Sequence, residues 1–506
     1  MITYDLCTIG SGVGLTVLSR AISAGWKCAL VEPGKIGGTC LTRGCIPSKV
    51  LVHPADLIRE AKHAKKIGLD FRLENSSIDW DMIASRMWSQ IDESKEMEAG
   101  LKEVKNLDVY RGIGEFTGKY EMKVKLQGET YSEPFKAKRF VIASGTRSAI
   151  PPVKGIEETG YVTNETFFGE KFPKKPWGSL LILGGGIIAA EFAHIFSAMG
   201  TKVTIIEMLS RLVTTEEPEV SLLLEKNFRK YMTVLLGKKV IEAKKDDNKK
   251  SLILEDVQTK QQIQVDGEEI LVAAGRKSNA DLLKVDKTGV EVDQKGWIKA
   301  NAYLETNVPN IWCIGDANGK FQFRHKANME ADACITNIFN PAHKEPVDYS
   351  ATPWAIFTWP QIGHVGLTEK EAIDAGHEIY VATKHYSSVA AGFAYGYQPN
   401  DDDDGFVKLI VAKNRKILGT HIIGPDASIL VQPIVYLMKA GYECAMPRPD
   451  GKLEHVSSMA CPEAGSVRPL YQSQVIHPSL NEVVGWAIGA LRPVNIKGHE
   501  HEHQHE

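Results

Sequence analysis

Residues 4–15 read YDLCTIGSGVGL, a short apolar run that leads directly into a glycine-rich turn. The run predicts a buried strand, and the residues after the turn predict a helix. A second predicted strand, residues 28–31, ends at Glu32. This strand–helix–strand order places a pyrophosphate group at the N-terminus of the helix. The glycines of the turn are Gly10, Gly12 and Gly14.

The spacing within this unit supports a dinucleotide site, with one departure. Glu32 lies 22 residues after Gly10, about where an acceptor for a ribose hydroxyl is needed. The third glycine of the usual GxGxxG pattern is replaced by Leu15. We therefore expect the helix and the strand to pack less closely at that position.

A second unit of the same kind begins at residue 179. Residues 179–183 are apolar, the turn contains Gly184 and Gly186, and the following strand ends at Glu207. A carboxylate there accepts a hydrogen bond from a free 2′-hydroxyl and repels a 2′-phosphate, which favours NAD over NADP, although Arg211 nearby weakens the preference. As an alternative, one of the two units is an α/β repeat that binds no nucleotide. Two dinucleotide sites indicate electron transfer between two carriers, usually FAD and NAD.

Length and composition exclude several classes of protein. The chain has 506 residues, 43% of them apolar and 24% charged, with a formal charge of -3. This length predicts about three domains, and the charge balance offers no overall footprint for nucleic acid. The sequence has no apolar run of the ~18 residues that a membrane span needs, and its start lacks the pattern of a signal peptide. We expect a cytoplasmic protein that binds neither membrane nor nucleic acid.

Of the eight cysteines, only Cys40 and Cys45 lie close together, within GGTCLTRGCIPSK at residues 37–49. Cα atoms at positions i and i+5 of a regular helix are about 8.7 Å apart, whereas a disulfide needs roughly 4.4–6.8 Å. A bond between the two cysteines therefore requires a distorted segment, which Gly44 would assist. A redox pair, two buried core thiols and half of a metal site remain open as interpretations. Cys7 and Cys313, in apolar runs, are predicted to be core residues.

Several motifs together resemble one family, the flavoprotein pyridine nucleotide-disulfide oxidoreductases, over nearly all of the chain up to about residue 490. The most specific is the cysteine segment itself. The others occur in the order of the family: ASGT at 143–146, AGR at 274–276, CIGDA at 313–317, FTWP at 357–360 and VGLTE at 365–369.

The resemblance implies roles for individual residues. Cys45 would face the flavin as a thiolate, and Cys40 would exchange with the substrate. Lys49 would lie near the flavin and pair with Glu191, because a cation there stabilises the reduced, anionic flavin. The implied cofactor-binding residues are Gly10, Gly12, Gly14, Glu32, Gly38, Thr39, Lys49, Ser144, Gly145, Gly184, Gly186, Glu207, Gly275, Arg276, Gly315 and Asp316.

Residues 476–482, IHPSLNE, resemble the HPxxxE segment of the family. The resemblance makes His477 the acid and base for the thiols and Glu482 the carboxylate that orients its ring. Because only a thiolate attacks a disulfide, the chemistry needs such a group. Ser479 with Glu482 also fits a capping box, which is an alternative for the glutamate. In the family this segment reaches the other subunit, so we expect a homodimer in which each active site takes its histidine from the partner.

The predicted fold class is α/β, with two Rossmann-like dinucleotide-binding domains and a C-terminal α+β dimerisation domain. The predicted divisions are FAD-binding residues 1–155, NAD-binding residues 156–280, a return FAD or central segment 281–347, a dimerisation domain 348–490 and a disordered His-rich tail 491–506.

The expected activity is NAD-linked interconversion of a dithiol and a disulfide, first of all oxidation of dihydrolipoamide. Reduction of a small disulfide such as mycothione or glutathione disulfide is the alternative, because these enzymes share the residues above. A flavin-bearing metal-binding or docking protein is a third hypothesis, based on the tail GHEHEHQHE and the acidic run 401–404. Apart from that hypothesis, we expect the acidic run to be a solvated loop. No residue is assigned as a metal ligand.

Two departures from the family pattern remain. Arg43 introduces a charge between the cysteines, which would lower a thiol pKa or contact an anionic substrate, or else face solvent. Residues 444–474 are longer than the usual linker and predict an irregular loop, with Cys444 and Cys461 as spectator or substrate-linked thiols.

Overall fold

The computed structural model describes residues 1–73, 77–128, 130–246, 249–413, 416–440, 472–479 and 481, together with the backbone of strands Ala445–Pro447 and Leu453–His455. The predictions for Glu482, Cys444, Cys461 and the tail 491–506 lie outside the described residues.

A parallel sheet of five strands forms the core of the first dinucleotide unit. Strands Leu6–Ile9 and Cys28–Val31 are buried along their whole length, as the apolar runs predict. Ile9 pairs with Val31, so Gly10 and Glu32 leave the sheet side by side at its carboxyl edge. In spatial order the strands are Ile311–Cys313, Phe140–Ile142, Leu6–Ile9, Cys28–Val31 and Leu107–Tyr110.

Helices and a smaller sheet cover this core. Helix Gly14–Ser23 follows the first glycine turn and packs beside helix Arg324–Phe339. Helices Cys45–His63 and Trp80–Lys102 pack against each other and carry the chain away from the cysteine segment. The smaller sheet contains strands Thr3–Tyr4, Phe135–Ala137, Glu121–Leu126 and Gly112–Gly118. Further short helices are Gly38–Thr42, Ala64–Ile67, Ala280–Leu283, Val285–Thr288 and Gly315–Asn318.

The second unit repeats the layout with a four-stranded parallel sheet. Leu183 pairs with Ile206, so the second glycine turn and Glu207 again meet at one sheet edge. The strands in spatial order are Thr233–Leu235, Lys202–Ile206, Ser179–Leu183 and Glu269–Val272. A three-stranded antiparallel sheet adjoins them, with strands Lys238–Asp246, Lys249–Asp256 and Gln262–Gly267. The helices of this part are Ile156–Thr159, Asn164–Phe167, Ile187–Ala198 and Pro218–Arg229.

Two short antiparallel strands, Thr146–Ser148 and Arg276–Ser278, join the segments that flank the second unit. The chain enters and leaves that unit through this pair.

The C-terminal part is a five-stranded antiparallel sheet. Its strands in spatial order are Pro353–Ile356, Gln361–Gly366, Ile417–Gly424, Phe406–Ala412 and Ile379–His385. Short helices connect them at Glu369–Asp374, Tyr386–Ser388, Ala390–Ala394, Ala427–Leu430 and Gln432–Lys439.

Three expectations can be compared with the described residues. Cys7 and Cys313 are fully buried, and burial raises the pKa of both thiols, as expected of core residues. The segment 444–474 is not irregular throughout, because strands Ala445–Pro447 and Leu453–His455 pair within it. Among the described residues, no helix combines the length with the apolar character that crossing a bilayer requires.

The acidic run 401–404 is neither a freely solvated loop nor a free docking patch. Lys66 Nζ lies 2.9 Å from Asp401 Oδ2 and 2.7 Å from Asp403 Oδ1. Asp404 is buried and accepts hydrogen bonds from the backbone and side chain of Ser387. Asp402 Oδ1 lies 3.6 Å from Lys226 Nζ, so all four carboxylates have partners inside the chain. Through Lys66, the run links the C-terminal sheet to the first domain.

Candidate active site

The first glycine turn leaves no room for side chains. Gly10 has a φ of +103°, and a Cβ atom there would lie 2.2 Å from the carbonyl oxygen of Ala143. A Cβ atom at Gly38, which also has a positive φ, would lie 2.5 Å from Cα of Gly12. The cysteine segment is thus packed, backbone against backbone, on the turn of the first dinucleotide unit.

Gly14 corrects one expectation about this turn. A Cβ atom at Gly14 would lie 2.6 Å from Cγ2 of Thr8, so the helix does pack closely on the first strand. Leu15 is only partly buried and lies beside this contact rather than in it. The close approach that the usual pattern assigns to its third glycine is made here one residue earlier.

The acidic residue of the first unit is fixed by the loops around it. Oε2 of Glu32 accepts hydrogen bonds from the backbone and hydroxyl of Ser11, both 2.8 Å, and Oε1 accepts one from the amide of Gly34. Asp316, expected to hold the same cofactor, is partly buried, and burial raises the pKa of its carboxyl group.

The second glycine turn has the same geometry with more open space. A Cβ atom at Gly184 would lie 2.4 Å from the carbonyl oxygen of Ala273, whereas one at Gly186 would meet nothing within 4 Å. Gly186 stands directly before helix Ile187–Ala198, so the space lies at the N-terminus of that helix. Glu207 accepts a hydrogen bond from the amide of Leu209 at 2.7 Å.

Arg276 lies at the junction of the two units. Its guanidinium donates to the carbonyl oxygen of Thr146 at 2.9 Å and pairs with Glu165 at 3.1 Å. These contacts use Arg276 to hold the connecting strands, in addition to any contact with a nucleotide. Ser144, Gly145 and Gly275 directly precede the two connecting strands. Gly145, Gly275 and Gly315 have positive φ angles.

The segment between the cysteines is broken, as a bond between them would require. Helix Gly38–Thr42 ends before Arg43, the backbone of Gly44 takes a non-helical conformation, and helix Cys45–His63 begins anew. A Cβ atom at Gly44 would lie 2.9 Å from the carbonyl oxygen of Thr39. Cys40 and Cys45, both partly exposed, are thiols in this structure.

The thiol of Cys45 is more acidic than an ordinary cysteine thiol. The pKa of Cys45 is lowered to about 7, and the largest cause is a hydrogen bond from Cys40. The charges of Lys49 and His477 also act to lower this pKa, while burial and Glu191 act to raise it. A thiolate at Cys45 is therefore accessible near neutral pH.

Lys49 connects the two dinucleotide units. Its ammonium lies 2.7 Å from Oε2 of Glu191 and 4.4 Å from the ring centre of Phe357. The other oxygen of Glu191 accepts a hydrogen bond from the amide of Phe357 at 3.1 Å. The pairing expected from the resemblance is present, and it fixes the cation one helical turn after Cys45.

His477 lies at the exposed side of the dithiol. Its Nε2 is 3.1 Å from Sγ of Cys40, within reach of a hydrogen bond to sulfur. Its backbone amide donates to Nδ1 of His325 at 3.4 Å. A buried imidazole thus supports the backbone of the histidine that faces the thiol. No pattern in the sequence marked His325 as part of the site.

In this structure the histidine that meets Cys40 belongs to the same chain, and the supply of this histidine by a partner subunit stays a prediction. Gln432 holds this segment, donating to the carbonyl oxygen of Gln474 at 3.0 Å and accepting from the amide of Ile476 at 3.1 Å. Asn481 donates to the carbonyl oxygen of Ser428 at 3.0 Å. These hydrogen bonds hold the segment beside Cys40.

Arg43 is turned away from the thiols. The guanidinium of Arg43 lies beside the loop that follows Glu32. A Cβ atom at Gly34 in this loop would lie 3.3 Å from Nη2 of Arg43 and 3.2 Å from Oε1 of Glu32. Nε of Arg43 is buried and has no hydrogen-bond partner. A contact of Arg43 with an anionic substrate stays a prediction.

Sequence reasoning missed a buried charged pair behind Asp316. Lys326 and Glu330 are both fully buried and lie 3.2 Å apart. Glu330 accepts a hydrogen bond from the amide of Gly315, and Lys326 donates to the carbonyl oxygen of the same residue. One helical turn between a lysine and a glutamate usually indicates a solvent-exposed pair, so nothing in the pattern marked these as buried.

Comparison with known proteins agrees with this architecture. A family model described as pyridine nucleotide-disulphide oxidoreductase matches residues 4–331, and the dimerisation domain of the same family matches residues 352–448. The chain belongs to the pyridine nucleotide-disulphide oxidoreductases. Members of this family bind FAD and NAD or NADP, and the match to the dimerisation domain supports a homodimer.

Curated relatives of this oxidoreductase carry two different names. Mycothione reductase from Mycobacterium tuberculosis is 32% identical over 503 residues, covering 97% of this chain and 100% of the relative. Dihydrolipoyl dehydrogenase from Chlamydia muridarum is 30% identical over 507 residues, covering 98% of each. A solved structure, the Cu(II) complex of the HOCl-induced flavoprotein disulfide reductase RclA from Escherichia coli, has a TM-score of 0.73 at 24% identity and covers 97% of this chain and 100% of its own. That structure supports the fold.

The described residues of the oxidoreductase fit a bound FAD. The hydroxyl of Ser144 is buried without a hydrogen-bond partner, and its amide nitrogen would lie 3.2 Å from a Cβ atom at Gly10. The turn at Gly10 admits backbone only, which is how such turns approach a pyrophosphate. An unused donor beside a glycine turn is what a phosphate-bearing cofactor requires.

Proposed function

We propose that this oxidoreductase is an NAD-linked FAD enzyme that interconverts a dithiol and a disulfide, with dihydrolipoamide as its dithiol substrate. The contact between Sγ of Cys40 and Nε2 of His477 carries this proposal. It pairs an exchange thiol with a proton acceptor, next to a second thiol, Cys45, whose pKa is lowered to about 7. A dithiol beside a base is suited to exchange with a substrate disulfide.

The thiol exchange follows from these positions. One substrate thiol gives its proton to Nε2 of His477 and attacks Sγ of Cys40 in the Cys40–Cys45 disulfide. That bond breaks, its electron pair remains on Cys45 as a thiolate, and the substrate is joined to Cys40. The second substrate thiol then closes the product disulfide and releases Cys40, so the two substrate protons end on Cys40 and His477.

Cys45 then holds the electron pair close to Lys49. The cation of Lys49, fixed by Glu191 at 2.7 Å, lowers the pKa of Cys45 and so favours the thiolate. FAD, when bound, supplies the carrier that passes the electron pair to NAD⁺. Glu191 and Lys49 are proposed to hold a positive charge where negative charge develops during this transfer.

The preference for NAD is supported by two residues of the second unit. Glu207 stands at the strand end where the 2′-position of the ribose is read. Arg211, the nearby cation, donates to the carbonyl oxygens of Glu216 and Thr214, both at 3.3 Å, so it is already used within its own loop. A carboxylate without a free neighbouring guanidinium disfavours a 2′-phosphate.

A second candidate is the reduction of a small disulfide such as mycothione. The M. tuberculosis mycothione reductase matches the chain along its whole length at 32% identity, slightly above the dihydrolipoyl dehydrogenase of C. muridarum. The same cysteines and histidine would serve both reactions, with the electrons flowing in opposite directions.

Steady-state kinetics of the purified, FAD-loaded chain distinguish the two. Dihydrolipoamide with NAD⁺ is compared with mycothione and glutathione disulfide, each with NADH and NADPH. We expect turnover of dihydrolipoamide with NAD⁺ and its loss in Cys40→Ser. Turnover of mycothione alone would replace the first proposal by the second, and turnover with NADPH alone would contradict the assignment of Glu207.

A further inference from the structure

A buried cluster far from the dithiol in sequence joins the second dinucleotide unit to the C-terminal sheet. Trp354, His364 and His421 lie opposite one another on three neighbouring strands, because Trp354 pairs with His364 and His364 pairs with His421. Glu216, which precedes helix Pro218–Arg229 of the second unit, reaches this row from outside the sheet. Glu216, His364 and His421 are each at most 1% exposed.

Hydrogen bonds define which ring nitrogens carry protons in this cluster. Nε2 of His364 is 3.0 Å from the carbonyl oxygen of Gly366, and Nε2 of His421 is 3.1 Å from that of Leu367. A carbonyl oxygen only accepts hydrogen bonds, so each Nε2 must carry the hydrogen. In a neutral imidazole the other nitrogen, Nδ1, then presents a lone pair.

Both Nδ1 atoms face the same carboxylate oxygen. Oε2 of Glu216 is 3.1 Å from Nδ1 of His364 and 3.8 Å from Nδ1 of His421. Nδ1 of His421 is buried and has no hydrogen-bond partner. When both imidazoles are neutral, three atoms that offer lone pairs therefore converge in this buried space.

The charges around the cluster favour an additional cation. The neighbouring cation, Lys408, lies 2.9 Å from Glu217, and its other partners are two further carboxylates, those of Glu219 and Glu369. Together with Glu216, four carboxylates therefore lie in this region with a single ammonium group, which contacts three of them.

A single proton does not satisfy this arrangement. A proton on Nδ1 of His364 would form an ion pair with Glu216 at 3.1 Å, but Nδ1 of His421 would still face the carboxylate without a hydrogen. A proton on Nδ1 of His421 would instead leave Nδ1 of His364 facing the carboxylate without a hydrogen. A buried lone pair without a partner costs about 1–3 kcal/mol.

We propose that Glu216, His364 and His421 bind a divalent transition-metal ion of the zinc class, through Oε2 and the two Nδ1 atoms. Bonds of about 2.0–2.1 Å at a tetrahedral zinc place neighbouring ligand atoms roughly 3.3–3.4 Å apart. The observed separations of 3.1 and 3.8 Å lie on either side of this value. Two imidazoles with one carboxylate select zinc, nickel, copper or iron rather than calcium or magnesium.

The outer contacts are those that metal ligands usually have. Each histidine donates its Nε2 hydrogen to a backbone carbonyl, which fixes the ring orientation that a bound metal requires. Oε1 of Glu216 accepts a hydrogen bond from Nε1 of Trp354 at 2.5 Å, so Oε2 is left for the metal. The ring of Trp354 also stacks on that of His364, with the centres 3.4 Å apart.

The location gives the ion a structural role. Two ligands come from the C-terminal sheet and one from the loop before helix Pro218–Arg229, so a bound ion joins the two parts of the chain. A buried ion with ligands from both parts stabilises their docked arrangement, because it binds the folded chain and not the separated parts.

The proposal is tested in the full-length, FAD-loaded chain after competing donors are removed. Cys40 and Cys45 are replaced by Ser, and the four tail histidines, His499, His501, His503 and His505, by Ala. This parent chain is stripped with a chelator, dialysed against zinc, and its metal content is measured by mass spectrometry. Two variants, Glu216→Gln and His421→Gln, keep a similar size and the outer hydrogen bonds. His377→Gln, at an exposed position, is the matched control.

We expect about one zinc ion per chain in the parent and in His377→Gln, and at least a tenfold weaker affinity in the other two variants. A parent chain that retains no zinc, or variants that retain as much as the parent, would overturn the proposal. If a variant does not fold, X-ray absorption of the cobalt-loaded parent decides the question. Imidazole ligands together with oxygen support the site, and a spectrum without imidazole contradicts it.

Discussion

The ammonium of Lys49 and the carboxylate of Glu191 lie 2.7 Å apart, although 142 positions separate them in the chain. The contact joins the helix that begins at Cys45 to the helix that opens the second dinucleotide unit. The two side chains act on the thiol of Cys45 in opposite directions, since Lys49 lowers its pKa and Glu191 raises it.

The first prediction follows from these opposite signs. Lys49→Met should raise the pKa of Cys45 from about 7 towards the ordinary value, and Glu191→Gln should lower it. The rate of alkylation by iodoacetamide, measured against pH in the reduced chain, reports the thiolate. Cleavage after Arg43 separates the peptides of Cys40 and Cys45, so each thiol can be followed alone. Equal profiles in both variants and in the exposed control Lys102→Met would contradict the assignment.

The second prediction concerns the base. His477→Gln keeps a side chain near Cys40 but removes a group that exchanges protons near neutral pH. We expect kcat to fall by about 10²–10⁴-fold, with the flavin content unchanged. The exposed His343→Gln should retain full activity. If His477→Gln keeps the pH profile and rate of the unmodified enzyme, the histidine is not the base.

The third prediction uses the finding that His477 lies at Cys40 of its own chain. Inactive Cys40→Ser and His477→Gln chains are mixed, unfolded and refolded together so that mixed dimers form. A histidine acting within its own chain gives no complete site in such a dimer, so activity should stay at the level of the separate variants. Recovery of about a quarter of the unmodified activity would instead show that subunits exchange their histidines, since half of the dimers would be mixed and hold one complete site.

The fourth prediction concerns the nicotinamide dinucleotide. Glu207→Ala removes the carboxylate that repels a 2′-phosphate, so the KM for NADP⁺ should fall by roughly tenfold relative to that for NAD⁺. The exposed Glu158→Ala, with the same loss of charge, should change neither constant. A ratio of the two KM values that Glu207→Ala leaves unchanged would remove this residue from the ribose site.

Local patterns predicted the parts of the fold that depend on backbone geometry. The strand–glycine–helix order located both parallel sheets, because a glycine turn between a buried strand and a helix allows few alternatives. The i+5 spacing of Cys40 and Cys45 predicted the break that the backbone makes at Arg43 and Gly44. The Lys49–Glu191 pair was found only through the resemblance, since distant charges leave no periodic signal.

Other features could not be predicted because they depend on tertiary contacts. His364 and His421 occupy ordinary positions in two strands, and only the register of the sheet places them opposite each other. The acids at 401–404 suggested a solvated loop, because the lysine that pairs with them, Lys66, lies more than 300 positions earlier. The glycine pattern also misplaced the closest helix contact, which is made by Gly14.

The last prediction tests the turn on which the cysteine segment rests. Gly10→Ala would bring a Cβ atom to 2.2 Å from the carbonyl oxygen of Ala143 in a backbone region that alanine avoids, and Gly25→Ala shares the positive φ but meets nothing within 4 Å. The backbone strain alone costs of order 1–3 kcal/mol. Gly25→Ala should therefore lower the free energy of unfolding by about 1 kcal/mol and keep its flavin. Gly10→Ala should lose more than that and release FAD, as measured by denaturant unfolding and by the flavin absorbance after gel filtration. Equal stability and equal flavin content in the two variants would mean that the backbone of the turn adjusts to the added Cβ atom. The close packing of Ala143 on Gly10 would then not be required for FAD binding.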